Sequence, residues 1–216
     1  MRRPAPAWRF PGAAARCLPL LLLLLPACSR LPSIIVLTDP LTADEHVALG
    51  VAYERKGELD LALREYGKAL RADPDHFQAR VNAGNVRLAR KEYGKARREY
   101  LEALSRRPDD PEATNNLAWA AILSGKDFPE ARERMEAVTA RPQGRRPELW
   151  DTLGVLRLRL GMREEAREAL REAERSCLAG ISGAAPCSGE TMAQIREHLG
   201  ELRAGDEKRG TAPLVQ

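Results

Sequence analysis

The side chains of this chain most able to do chemistry are three histidines, His46, His76 and His198, and four cysteines, Cys17, Cys28, Cys177 and Cys187. A metal centre needs three or four such ligands converging on one point, usually with two of them close in sequence. The histidines stand far apart, and Cys177 with Cys187 lacks metal-ligand spacing, so no metal site is expected. The sequence also carries no H-E-x-x-H, no G-x-S-x-G, no phosphate-binding loop and no dinucleotide fingerprint. The carboxylate pair Glu164-Glu165, a candidate for acid-base work, sits in an arginine-rich segment, which is the composition of a solvated helix face. The expectation is a chain that is not an enzyme and takes no cofactor. Each histidine then has a structural or solvated role: His46 at a packing position, His76 in a turn and His198 on a terminal helix.

The elements that would carry these residues repeat themselves. After residue 42, Gly50 and Gly84, Ala62 and Ala96, Tyr66 and Tyr100, Ala69 and Ala103, and Pro74 and Pro108 are each 34 residues apart. A fixed period of this length marks a solenoid whose unit is one helix pair that cannot bury its apolar face alone. Gly57, Gly125 and Gly161 fall where the two helices of a pair should turn, and Pro74 and Pro108 fall where the second helix should stop. Gly50, Gly84, Ala118 and Gly154 are small at the place where paired helices should approach most closely, so a side chain larger than alanine is expected to prise the pair apart.

The pattern Leu49-Gly50-x-x-Tyr53, followed by Ala62, Tyr66, Ala69 and Pro74, resembles the tetratricopeptide repeat (TPR), with His46 where the family often has tryptophan. The second unit keeps Gly84, Ala96, Tyr100, Ala103 and Pro108. The third keeps Leu117-Ala118, Gly125, Ala131 and Met135 but carries an extra residue near Lys126-Asp127-Phe128-Pro129. The fourth has Trp150, Leu153-Gly154, Gly161, Ala166, Leu170 and Ala173. The resemblance implies an all-α helix-turn-helix solenoid over residues 43–178, with units at about 43–76, 77–110, 111–146 and 147–178. A capping helix follows from the helical spacing of Met192, Ile195, Leu199 and Leu202. It lies in a segment, 179–203, that is joined to the last unit by a Gly/Ala/Ser-rich linker. Cys177 and Cys187 flank that linker and are expected to form a disulfide, separate thiols being the alternative. The tail, 204–216, is polar and expected to be disordered.

In TPR proteins the first helix of each unit lines a concave groove. Carried onto this sequence, the groove positions include Val51, Asn82, Asn85, Leu88, Asn115, Asn116, Trp119, Ile122, Val155 and Leu158. Asn82 and Asn116 occupy one position in successive units, and a carboxamide both donates to and accepts from a peptide backbone. Trp119 supplies an aromatic anchor of the type that dominates binding energy. The alternative is that Asn115 and Asn116 satisfy helix-end groups and that Trp119 packs on the next unit. The lysine and arginine set with which chaperone-binding members grip a terminal carboxylate is missing.

The first 27 residues follow secretory-signal order: Arg2 and Arg3, then the apolar run Cys17-Leu18-Pro19-Leu20-Leu21-Leu22-Leu23-Leu24-Leu25. As a helix, residues 17–27 would reach only roughly 16 Å, about half of a bilayer's hydrocarbon core. Leu25-Pro26-Ala27-Cys28 resembles the lipobox of bacterial lipoproteins. The resemblance implies cleavage before Cys28, acylation of its thiol and, with Ser29 following, the periplasmic face of the outer membrane if the cell is Gram-negative. An ordinary signal peptide followed by a free or bonded thiol is the alternative. The tether, 28–42, holds Ile34-Ile35-Val36-Leu37, expected to pack locally on the first helix, with an edge offered to a partner as the second choice.

The formal charge of +4 comes from the leader: Arg2, Arg3, Arg9 and Arg16 precede Cys28 and no acidic residue does, so the remainder is balanced at 31 basic and 31 acidic residues. Without a basic excess on one face, nucleic acid is excluded as the expected partner. The sequence therefore points to a lipid-anchored scaffold of the bacterial envelope that binds a protein or peptide and no small-molecule substrate. The competing expectation is an assembly factor of an outer-membrane secretion, pilus or polysaccharide-export complex. The run Asp39-Pro40-Leu41-Thr42-Ala43-Asp44-Glu45-His46 and the residues that follow also resemble the TPR tail of some C39-type peptidases, which implies at most an accessory partner of such an enzyme.

Overall fold

Each first helix starts where a side chain or a proline takes care of unpaired backbone groups, and most of the turns need one left-handed residue. The computed structural model describes residues 39–179 and 187–210. The leader with Cys28, nearly all of the tether, residues 180–186 of the linker and residues 211–216 of the tail lie outside the described residues. Helix α1 (Ala43–Arg55) opens on a capping box: the Glu45 N–H donates to the Thr42 hydroxyl at 3.3 Å, and the Thr42 N–H donates to the Glu45 carboxylate at 2.7 Å. Helix α3 (Phe77–Ala89) is capped by the His76 ring, and α5 (Pro111–Ser124) by the Asp110 carboxylate with Pro111 in its first turn. Helix α7 is Pro147–Arg159.

These helices pair with α2 (Leu59–Ala72), α4 (Tyr93–Arg106), α6 (Phe128–Thr139) and α8 (Arg163–Ala179), and among the described residues there is no strand. The architecture is the expected all-α TPR solenoid of four helix pairs followed by a capping helix. One left-handed residue recurs in the turn inside every pair: Gly57, Lys91, Gly125 and Gly161, with φ of 75°, 60°, 70° and 76°. Lys91 stands 34 residues after Gly57 and adopts the same conformation at a cost of about 1–2 kcal/mol for an L-residue.

The pairs are held by a ring laid on a glycine. A Cβ added to Gly50 would sit 2.7 Å from Cδ1 of Tyr66, and one added to Gly84 would sit 2.8 Å from Cδ1 of Tyr100. Both rings are fully buried. The limit is tighter than the sequence suggested for these two units: even the methyl of alanine would meet the ring. In the fourth unit Leu170 stands over Gly154 in the same way, with Cγ at 2.6 Å from such a Cβ. Only the third unit has a Cβ there, Ala118, and its core partner across the pair is the unbranched Met135.

The third unit departs from the period in two places. Helix α5 has 14 residues where α1, α3 and α7 have 13, and Asp127 closes its turn with a second left-handed residue at φ 61°. A 3-10 turn, Pro142–Gly144, then fills the extra length before α7, with Gly144 packed against the backbone of Val138 and Thr139.

Helix α9 (Gly189–Gly210) is the expected cap, but it continues seven residues past the predicted end at Arg203. The extension is held by Asp206, which pairs with Arg163 at 2.6 Å and Arg167 at 2.5 Å, both on α8. Ile195, Leu199 and Leu202 bury themselves against Ala166, Leu170, Ala173 and Cys177. Cys177 and Cys187 are bonded, with Cα atoms 5.0 Å apart. A loop this short contributes about 2.5 kcal/mol by closure entropy. Three buried aliphatic side chains contribute roughly 1.5–3 kcal/mol each. The apolar contacts, more than the disulfide, keep the cap in place.

Gly84→Ala tests the ring-on-glycine contact. Overpacking costs about 1–3 kcal/mol against a helix-propensity gain of about 1 kcal/mol, so urea melts should show a net loss for Gly84→Ala and partial recovery in Gly84→Ala/Tyr100→Met, which reproduces the pairing of the third unit. Equal stability of the single variant and the wild type would refute the account.

Candidate functional site

The face offered by the first helices is built from side chains four residues apart on α3 and α5, with polar groups concentrated at the seam between them. Tyr100 donates its hydroxyl hydrogen to Asn85 Oδ1 at 2.9 Å, and Asn116 Nδ2 donates to the same oxygen at 2.9 Å. The seam between the second and third units thus runs from a core tyrosine through Asn85 to Asn116. In the first unit the hydroxyl of Tyr66 donates to the Glu54 carboxylate. Burial raises the pKa of Tyr66, with the Glu54 carboxylate adding to it. Burial also raises that of Tyr100, helped by the charges of Glu112 and Glu54.

These bonds alter what the sequence suggested for the amides. Asn82 is 8 % exposed, and its Oδ1 accepts from Gln78 Nε2 at 2.8 Å, so it lies beneath the surface instead of lining it. Asn85 and Asn116 are brought together, but to each other and to Tyr100. Leu88 and Ile122 are half-buried and pack against neighbouring core clusters, and Val51 packs at the edge of the first-unit core. At the far end, Val155 is 6 % exposed and Leu158 packs against the cluster shared by α8 and α9. The expectation that Val155 and Leu158 line an open groove is corrected: α9 occupies the place that the first helix of a fifth unit would take.

Asn115 and Trp119 remain. They lie one helical turn apart on α5. Asn115 Oδ1 is buried and has no hydrogen-bond partner among the described residues. Trp119 is half-buried and belongs to none of the four core clusters, in contrast to Trp150, which packs into two of them. A buried acceptor left unpaired costs about 1–3 kcal/mol, which a donor from outside would recover. The pattern of residue types could have located this pair but could not separate it from Asn82 and Asn116, whose partners depend on the seam.

The histidines all bridge elements. His46 Nδ1 lies 2.7 Å from Glu65 Oε2 in the core of the first unit. His76 accepts from the Ala79 N–H through Nδ1, which leaves Nε2 as the donor to Asp44 at 2.9 Å, from the second unit to the first. His198 Nδ1 lies 2.7 Å from Oδ1 of Asp151, a side chain only 6 % exposed. This hydrogen bond raises the pKa of His198 above its ordinary value against an opposing effect of burial, and the charges of Asp151, Glu201 and Glu197 act in the same direction as the bond. Sequence reading placed His198 on the cap and missed Asp151 as its partner. Among the described residues no group of three His, Cys, Asp or Glu side chains could hold a metal ion, and no helix is long and apolar enough to cross a membrane.

The tetratricopeptide repeat model matches residues 47–111 and 81–145, and these residues are tetratricopeptide repeats. Protein FlbA of Caulobacter vibrioides is 31% identical over 113 residues, which is 52% of this chain and 19% of FlbA, so this chain spans about a fifth of that relative's length. Among solved structures, pilF of Pseudomonas aeruginosa superposes with a TM-score of 0.59 at 21% identity, over 75% of this chain and 69% of that one. MamA of Desulfovibrio magneticus RS-1 superposes at 0.56 and 16% identity, over 79% of this chain and 97% of that one. The Sgt2 TPR domain of Aspergillus fumigatus superposes at 0.51 and 25% identity, over 65% and 86%. These likenesses establish the fold.

The bond between His198 and Asp151 predicts a pH-dependent cap. A histidine whose folded pKa lies above its unfolded value stabilises the fold fully below the unfolded value, near 6.5, and loses that contribution as pH rises through the folded value. Thermal melts should show stability falling from pH 6 toward pH 8 by more in wild type than in His198→Gln. Parallel curves for the two proteins would remove the ion pair from the account.

Proposed function

We propose that the chain is a non-catalytic scaffold, held at a bacterial membrane through acylated Cys28, that binds an extended segment of a protein partner on the first-helix face of its second and third units. The observation that carries the reading is the pair on α5. Asn115 offers a buried, unpartnered acceptor, and Trp119 offers an indole face one turn away. An extended peptide could donate a backbone N–H to the first and lay a side chain on the second, the combination of positioning and anchoring that such grooves use. TPR repeats mediate protein-protein contact. The amide seam of Asn85 and Asn116 stiffens this face, so less ordering entropy is lost when a partner binds.

Membrane attachment rests on Leu25-Pro26-Ala27-Cys28 and on the Arg-then-leucine leader. Two or three acyl chains on one residue anchor stably where one would be marginal. Cells fed an alkynyl palmitate should label the wild-type chain and not Cys28→Ser, which should appear in the soluble fraction. Label on the serine variant, or none on the wild type, would refute the anchor.

The groove is tested by pull-down from membranes with mass spectrometry, comparing wild type with Trp119→Ala. Asn82 and Asn116 are poor first targets because both support the fold. The expected outcome is loss of one abundant partner by a variant that still melts cooperatively, since a half-buried aromatic anchor of this kind contributes about 2 kcal/mol or more to a complex. A partner set unaltered by Trp119→Ala would move the functional surface elsewhere.

A further inference from the structure

The edge of the solenoid at the intra-pair turns carries a second surface, and its construction can be read by comparing one unit with the next. Between the first and second units a notch of about 430 Å³ lies among Gly57–Leu61 and Arg90. There Arg90, at the end of α3, pairs with Asp60, at the start of α2, and bridges the notch. The corresponding notch between the second and third units is about 690 Å³. Thirty-four residues on, Asp60 has become Gly94 and Arg90 has become Ser124, so both arms of the bridge are absent. A Cβ at Gly94 would meet nothing within 4 Å.

The charge of the open notch also differs from that of the chain. Lys91, Lys95, Arg97, Arg98 and Lys126 line it against only Glu92 and Asp127. Lys95 is paired with Glu92 at 2.9 Å and Arg97 with Asp127 at 3.2 Å. Among the described residues Lys91, Arg98 and Lys126 have no carboxylate partner, and all three are exposed. In a chain whose residues beyond the leader are balanced in charge, this is a local excess. Lys91 is held at the rim in a left-handed conformation where the preceding unit has glycine. The first turn of α4 forms one wall and adds the partial positive charge of a helix start. On the other wall Leu123 is 49 % exposed, one of few large apolar side chains so placed among the described residues.

We propose that this notch binds an acidic peptide segment of a protein partner, with carboxylates facing Lys91, Arg98 and Lys126 and one bulky apolar side chain against Leu123. Charge complementarity defines the occupant, and the missing Asp60–Arg90-type bridge is what admits it. The site lies on the turn edge and stands independently of the groove at Trp119.

The test is fluorescence polarisation with the full chain in detergent and a labelled dodecapeptide of alternating acidic pairs and leucines. Its counterpart has lysine in place of every acidic residue. The acidic peptide should bind, weaken as salt rises, and lose on the order of tenfold in affinity in Lys91→Glu/Lys126→Glu. Gly94→Asp/Ser124→Arg rebuilds the bridge of the preceding unit without removing a cation, and it should block the peptide while leaving the melting temperature unchanged. Trp119→Ala should bind the peptide as wild type does, which separates failure of this site from failure of the groove. Equal binding of both peptides, no binding of the acidic one, or undiminished binding in the bridge variant would each overturn the proposal. So would binding of phosphatidylglycerol vesicles in place of the peptide, which would assign the notch to a lipid surface.

Discussion

The stack depends on how closely the two helices of a pair approach, and that distance is set by whether a ring can lie where a side chain is missing. Tyr66 over Gly50 and Tyr100 over Gly84 bring the axes together and bury two large rings completely. Because each phenol still carries a hydroxyl, the close approach creates a second demand: a buried O–H must find an acceptor. Glu54 meets it in the first unit and Asn85 in the second, and both lie on the first helix of the pair. A packing requirement in the core thereby dictates polar residues on the face that could meet a partner.

That linkage separates what was legible in the sequence from what was not. The period of 34, the turns and the cap were legible because each rests on a residue type with one dominant physical use at its position, such as glycine at a positive φ or an apolar stripe on a terminal helix. The groove was not, because an asparagine on a first helix has two uses. Asn85 and Asn116 have the composition of a peptide clamp and yet close a seam between units, while Asn115, adjacent to Asn116 in sequence, is left with an unpaired oxygen. Only the registration of α3 against α5 decides between the two uses, and registration is not written in either helix alone. Val155 and Leu158 were misplaced for a related reason: their exposure depends on α9, whose docking is set by Ile195, Leu199 and Leu202 some 40 residues later.

The charges follow the same logic. Most basic side chains near the seams reach a carboxylate on an adjacent element, such as Arg80 to Glu99 at 3.3 Å within the second unit and Arg157 to Glu136 at 3.0 Å from the fourth unit to the third. Solvent-accessible, partly buried pairs of this sort contribute little singly, on the order of 1 kcal/mol, but they fix which faces of successive helices meet. This accounts for a composition that is rich in charge and balanced in sign. A cation outside such a pair is then informative in a way that total charge is not.

The departures from the repeat converge on the third unit. Its first helix is one residue longer, its turn uses two left-handed residues, its small position is alanine over methionine, and Leu117 to Leu123 is an unbroken apolar run. A helix whose only task was to stack between two others would repeat the pattern of its neighbours, since each neighbour shows that the pattern suffices. Helix α5 instead carries the unpaired Asn115 oxygen and Trp119 on one face and the exposed Leu123 of the open notch toward its end. Local rules broken without an evident structural gain are where function is to be sought. Here they fall on one element that borders both surfaces, so a partner long enough to pass from the first-helix face to the turn edge would contact α5 throughout.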